Sequence, residues 1–416
     1  MRRAVGDALS LPRAAYDRRP MDLRYTEEEE HFRDELRSWL ASVLHDVPPV
    51  PDDHTDLVAR RAYDTAWQAQ LHDAGYAGIH WPAEFGGRGS TPTEHLIFLE
   101  ETERAGAPYV GVNFVGQLHA GPTLIAEATD DQRSTHLAPI LKGEHVWCQG
   151  FSEPGSGSDL ASLSTRAVDD GDHYVVTGQK IWTSFAQVAD YCELLVRTDP
   201  DARKHAGITW LIMPMDLDGI EIRPIDTALG SGEFAEMFLD EVRIPKINRV
   251  GDENDGWRVT NVTFSFERGT AFISEVISTQ RLLADLAAVA QKVTRSSGTA
   301  WDDAGIRREL GRLDAELDAL WSLTKRNVSQ AQRTGMVGPG GSVFKLAYAD
   351  VRKRMADLAE RILGRAGLAI GESMDLSDLD HVGERLYTLT LTIAAGTSEI
   401  QRNIIGERLL GLPRER

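Results

Sequence analysis

From Thr26 onward, Phe32, Leu36, Trp39 and Leu40 recur at the spacing of one helix face, and Thr26 with Glu29 offers a capping box ahead of them. A helical N-terminal region is therefore predicted, running with one interruption to about Leu141. The interruption, Gly75-Tyr76-Ala77-Gly78-Ile79-His80-Trp81-Pro82 followed by Glu84-Phe85-Gly86-Gly87-Arg88-Gly89, carries glycines and a proline that predict a loop between helices and not a phosphate cradle. Between Val146 and Val250 the period changes. Short β-branched and aromatic runs at residues 174–177, 192–198, 208–213 and 236–244, punctuated by Gly, Pro and Asp, predict an antiparallel β domain. After Gly256-Trp257 long helical patterns return, roughly over residues 257–293, 301–334, 343–366 and 397–410, with a flexible break at residues 335–341. The expected organisation is α+β: a helical domain over residues 21–145, a β-barrel-like middle domain over 146–250 and a helical domain over 251–416. Residues 1–20 are arginine-rich without a continuous apolar run, so a disordered extension or an upstream start is expected, with a transit peptide as the alternative.

Composition adds bounds. With 416 residues, 42% of them hydrophobic, the chain can bury a large core divided among two or three domains. Its formal net charge of −19 opposes binding to nucleic acid or to an anionic membrane, and a polyanionic substrate would need a local basic patch. The two cysteines, Cys148 and Cys192, fall inside predicted strands without metal-site spacing, which fits core positions in a reducing cytoplasm. The most apolar helical stretch, residues 282–290, contains Asp285 and is too short to span a bilayer, so no membrane anchor is expected.

Three segments carry the chemistry. Gly150-Phe151-Ser152-Glu153-Pro154-Gly155-Ser156-Gly157-Ser158-Asp159 is neither a Rossmann Gly-x-Gly-x-x-Gly nor a Walker loop, but its small residues allow consecutive N–H groups to turn toward an anion. Such a loop alone is by default a tight turn. Lys180-Ile181-Trp182-Thr183-Ser184 follows about 25 residues on, and a lone strand tryptophan is by default a core residue. Near the C-terminus stands Ala394-Ala395-Gly396-Thr397-Ser398-Glu399-Ile400-Gln401-Arg402. In this order and spacing the three segments resemble the acyl-CoA dehydrogenase family, and the resemblance covers nearly everything from Met21 onward.

That resemblance implies a helical N-terminal domain, an antiparallel β middle domain and a C-terminal four-helix bundle. It further implies FAD, an acyl-CoA or acyl carrier protein thioester as substrate, and an electron-transfer flavoprotein as oxidant. Phe151 and Ser152 would contact the flavin ring and its pyrimidine edge, and Ser158 the pyrophosphate and the thioester end of the ligand. Trp182 would pack on the outer ring, with Thr183 beside it and Ser184 near the reactive N5, while Thr397 and Glu399 match cofactor-contacting positions. The base is the point of departure. Ala395 occupies the position where the commonest pattern has the glutamate of Tyr-Glu-Gly-Thr, leaving only a backbone N–H to polarise the thioester carbonyl. Some members carry the base on a C-terminal-domain helix before an arginine, and Phe266-Glu267-Arg268-Gly269-Thr270 matches that arrangement. A Glu-Arg dipeptide is ordinarily a solvated ion pair. The gap at 395 makes Glu267 the candidate base, with Arg268 near the thioester or phosphopantetheine side of the ligand.

Two further elements of the pattern are missing. An Arg-x-x-Phe-Gly segment would fall at about Val293, where Gln291-Lys292-Val293-Thr294 does not match, and a Gln-x-x-Gly-Gly element is reduced to Leu363-Gly364-Arg365-Ala366-Gly367. Such losses occur in bacterial relatives that take bulky substrates or pair with a diverged second subunit, so a homo- or hetero-oligomer is expected. Two alternatives stay open: a non-catalytic partner in a heteromeric dehydrogenase, and an oxidase on the same fold.

Overall fold

Thr26 does open the first helix. Glu29 N donates to its Oγ1 at 3.2 Å while Thr26 N donates to Glu29 Oε2 at 2.7 Å, so two orphan donors are satisfied reciprocally. The computed structural model describes residues 24–230, 232–270, 273–334, 340–368 and 381–413. The expectation for residues 1–20, and most of the break at 335–341, lie outside them. Among the described residues five α-helices make the N-terminal region: α1 (Glu27–Val43), α2 (Leu57–Asp73), α3 (Pro92–Ala105), α4 (Gly121–Glu127) and α5 (Asp130–Lys142). Thr91–Glu94 and Thr129–Gln132 repeat the capping box on α3 and α5, and Gly106 and Gly143 end those helices in the left-handed region that glycine enters without a Cβ clash.

Eight strands follow, β1 (Trp147–Gly150), β2 (Arg166–Asp170), β3 (His173–Ser184), β4 (Tyr191–Arg197), β5 (Ile208–Pro214), β6 (Ile220–Pro224), β7 (Phe234–Pro245) and β8 (Arg249–Val250). Their order in the sheet is β6-β7-β3-β2-β4-β5-β8, with β1 paired to β4 off that path. The antiparallel expectation holds for most pairs. β1 runs parallel to β4, however, placing Cys148 beside Cys192 in register, both buried and both free thiols.

The C-terminal region holds α6 (Gly256–Thr270), α7 (Ile273–Lys292), α8 (Ala304–Thr334), α9 (Gly340–Leu363), α10 (His381–Thr390) and α11 (Ser398–Ile404). The pattern read as one helix over 257–293 is helical through Gly256–Thr270 and Ile273–Lys292, and the one over 397–410 is α11 followed by a wider π turn at Ile405–Leu409. One core joins the N-terminal helices to the sheet through Trp67, Trp81, Trp147, Phe151 and Trp210; another fills the space among α7, α8 and α9. Trp81, Trp147 and Trp210 are fully buried, each worth up to roughly 5 kcal/mol at about 25 cal/mol per Å². Among the described residues no helix is long and apolar enough to cross a membrane.

Candidate active site

β1 ends at Gly150, where a Cβ would lie 2.8 Å from Cys192 Sγ and from Leu194 Cδ1, so only glycine lets the chain leave this close to β4. Phe151 then turns inward, 3% exposed, and meets the edge of Phe264 of α6 at 6.2 Å between centroids. Beyond it the loop closes on itself: Glu153 and Ser156 exchange backbone hydrogen bonds of 3.0 and 2.9 Å. Two of the N–H groups expected to face an anion therefore donate to each other's carbonyl oxygens, because a four-residue turn satisfies them locally. Gly155, Gly157, Ser158 and Asp159 stand exposed, and a Cβ at either glycine would meet nothing within 4 Å.

The second motif lies at the end of β3. Between Lys180↔Met237 and Thr183↔Ala235 the register slips, so that Ile181 and Trp182 together oppose Glu236 of β7 in a β-bulge. Trp182 takes the left-handed conformation there, φ 61°, where a glycine would be expected, and its indole is 55% exposed. A bulky residue at such a φ costs about 1–3 kcal/mol and persists at functional sites. Ile181 N donates to Ser152 O at 3.0 Å, which ties the bulge directly to the β1 loop. Thr183 is buried, and its Oγ1 has no hydrogen-bond partner in the protein. The Ser184 hydroxyl bonds the Glu233 carboxylate, a neighbour that sequence reasoning missed; burial holds the Glu233 carboxyl above its usual range, opposed by Arg60 and this bond.

Glu153 and Lys180, quoted in the motifs without a role, form a buried ion pair at 2.9 Å. Burial alone would raise the Glu153 carboxyl, but the Lys180 charge and the Thr165 and Ser164 donors outweigh it and bring it down to about 2. Burial also pulls the lysine down, against the attraction of Glu153. With the ammonium and three further donors converging on one carboxylate, the pair is ionised at neutral pH.

Glu267 and Arg268 lie on α6, three and four residues past Phe264, whose ring touches Phe151. Their side chains lie outside the described part of the structure. Ala395 is exposed with φ 50°, a second strained non-glycine position. Its loop is gathered by two side chains that the sequence reading passed over: buried Lys345 of α9 donates to Ala394 O and Gly396 O, and Gln401 Nε2 donates to Ala395 O at 3.0 Å and Gly396 O at 3.2 Å. A lysine on the apolar face of α9 was the available signal. Thr397 caps α11 by accepting from Ile400 N at 3.3 Å, and exposed Glu399 pairs with Arg402 at 3.4 Å. The structure thus brings Phe151, Ser152, Trp182, Thr183 and Ser184 together where the β1 loop meets the end of β3, with Phe151 touching α6, while Thr397 and Glu399 stand at the start of α11 beside the 394–396 loop held by Lys345 of α9.

These features fit a flat aromatic cofactor: a strained, exposed indole, an orphaned buried hydroxyl one residue on, and a glycine-bearing loop beside open space. Models of the acyl-CoA dehydrogenase N-terminal, middle and C-terminal domains match residues 26–144, 148–242 and 254–410. The chain belongs to the acyl-CoA dehydrogenase family. Within the family it is similar to the acyl-CoA dehydrogenase IpdE1 of Mycobacterium tuberculosis, 38% identical over 94% of this chain and 99% of the relative. FadE26 of the same organism is 35% identical over 95% and 99%. Two solved structures superpose with TM-scores of 0.81, each covering 95% of this chain and all of the other: the ChsE4-ChsE5 complex from Mycobacterium tuberculosis at 33% identity, and the Tcur3481-Tcur3483 steroid ACAD at 31%.

Proposed function

We propose that the protein catalyses FAD-dependent α,β-dehydrogenation of a bulky acyl-CoA thioester, branched or cyclic, in the cytoplasm, as one subunit of an oligomer that passes electrons to an electron-transfer flavoprotein. The observation that carries this reading is Trp182, held exposed at φ 61° beside the open loop of the first motif. FAD, when bound, supplies the hydride acceptor. Phe151, Ser152, Trp182, Thr183 and Ser184 hold its ring; Ser158, exposed on the loop, faces its pyrophosphate and the ligand's thioester end; Thr397 and Glu399 hold it from the α11 side. Glu267 takes the α-proton, Arg268 steadies the ligand, and the Ala395 N–H polarises the thioester carbonyl. Phe264 and Phe266 exclude water around the base, and a carboxyl in a dry pocket has the raised pKa that proton abstraction from carbon needs. A bulky acyl group is supported by alanine at 395, which leaves free the volume a glutamate would fill, and by the similarity to a steroid-acting structure. Pairing with a second chain is supported by the two missing sequence elements and by the two-chain complexes among the similar structures.

The test is Glu267→Gln, which keeps the side chain's size and removes its basicity. The purified variant should carry FAD and bind a bulky acyl-CoA as the wild type does, while reduction of the flavin under anaerobic stopped flow falls by about 10²- to 10⁴-fold. Reduction at the wild-type rate would remove Glu267 from its role, and a wild-type protein that takes up no FAD, alone or with its partner chain, would remove the enzymatic reading.

A further inference from the structure

Lys180 is fully buried on β3, and its ammonium donates to Phe151 O at 3.2 Å and Glu153 Oε1 at 2.9 Å. Glu153, 6% exposed, accepts in addition from Ser164 N at 2.7 Å, Ser164 Oγ at 2.8 Å and Thr165 N at 2.8 Å. One ion pair therefore touches both ends of the loop that leaves β1 and re-enters the sheet at β2. The same loop is in contact with β3 at two further places. Ser152 O accepts from Ile181 N, and a Cβ on Gly178 would lie 2.5 Å from Thr165 Oγ1 and 2.7 Å from Thr165 Cα.

A buried ion pair is a poor source of stability. Removing two ions from water roughly cancels their attraction, and well-packed apolar residues of similar volume often hold a fold as well or better. What such a pair can supply is the selection of one arrangement over its neighbours. Here the arrangement selected joins two segments that sequence alone shows as separate motifs, the β1 loop and the β3 bulge.

We propose that the Lys180–Glu153 ion pair is a positioning device for the cofactor site, fixing the loop over residues 151–165 against the bulge at Ile181–Trp182 so that both present one binding surface. The proposal rests on the flavin reading above. Lys180 touches no reacting atom; it acts through Phe151 O on one side and through the adjoining Ile181 and Trp182 on the other. If loss of the pair leaves a tenth of the molecules in the binding arrangement, apparent FAD affinity falls tenfold, whatever happens to overall stability.

The experiment compares full-length wild type, Glu153→Gln and the paired Lys180→Met/Glu153→Leu variant, each stripped of flavin. Three quantities are read: FAD affinity by titration, the urea midpoint of the apo form, and exchange of the Ile181 amide hydrogen, whose acceptor Ser152 O no substitution removes. The paired variant is expected to match or exceed the wild-type urea midpoint while binding FAD at least tenfold more weakly and exchanging the Ile181 amide at least tenfold faster. Glu153→Gln, which leaves Lys180 without its counter-charge, should lower both midpoint and affinity. FAD binding by the paired variant within twofold of wild type would reduce the pair to a fold element and overturn the proposal; should that variant not fold, unchanged FAD affinity in Glu153→Gln does the same. Wild-type protein that binds no FAD counts against the flavin reading, while Ile181 exchange still reports whether the pair orders the loop.

Discussion

Ala395 and Trp182 are both residues with a Cβ in a backbone region that disfavours one, and they differ in what the strain maintains. Ala395 has no side chain to position, so its φ of 50° only shapes the loop whose carbonyls Lys345 and Gln401 collect. Replacing it by glycine should stabilise the protein by about 1 kcal/mol, read as a rise in urea midpoint, with flavin reduction retained because the N–H at 395 is kept. A lower midpoint would show that the left-handed conformation there is not a source of strain. Trp182 holds a large ring away from the core. Since the indole is 55% exposed, Trp182→Ala should change folding stability by less than about 1 kcal/mol, yet it should perturb the flavin spectrum and weaken FAD binding. An unfolded variant would place the indole in the core. The identity of both residues was legible in the motifs; their backbone conformation was not, because it depends on the register between β3 and β7 and on the two side chains gripping the 394–396 loop.

Helix existence was legible wherever a period of 3.6 met a cap, as at Thr26, but the pattern over 397–410 gave no sign of the wider π turn at Ile405–Leu409. Buried histidines were equally silent in the sequence. His80 and His95 stack at 4.6 Å between the N-terminal loop and α3, and His136 of α5 packs edge-on against Trp147 at 5.2 Å and Tyr191 at 4.8 Å. Burial pushes His80 and His136 down to about 4, and pushes His95 well below its ordinary range. These rings bind protons more weakly folded than unfolded, so their contribution is fully present above about pH 6.5 and is lost as pH falls through their folded pKa, for His80 and His136 toward 4 and on the order of 3 kcal/mol each. Glu153 adds a second, lower window: its folded pKa of about 2 means stability present above the ordinary carboxylate pKa and lost as pH falls through it toward 2. Urea midpoints measured from pH 7 to pH 4 should therefore drop steeply, and His136→Gln should make the slope shallower by about one proton; an unchanged slope would mean that His136 titrates normally.

At the scale of the whole molecule, the C-terminal elements leave apolar side chains in solvent: Leu389 and Ile393 near the end of α10, and Leu409, Leu410 and Leu412 after α11, each 48–67% exposed. Exposed apolar side chains of this kind are candidates for a contact with another chain, which the proposed oligomer would need. Leu409→Ser/Leu412→Ser should shift the sedimentation of the purified protein toward the monomer while leaving the helical signal intact; an unchanged oligomer would place the contact elsewhere. The net charge of −19 opposes indiscriminate association through such side chains. One feature of the bulge also changes how the molecule can be watched. Eight of its nine tryptophans are buried or half-buried, and the ninth, Trp182, is open to water. Its emission should form the red edge of the protein's fluorescence, and a bound chromophore within contact distance would extinguish that edge first, giving an optical occupancy gauge that requires neither substrate nor turnover.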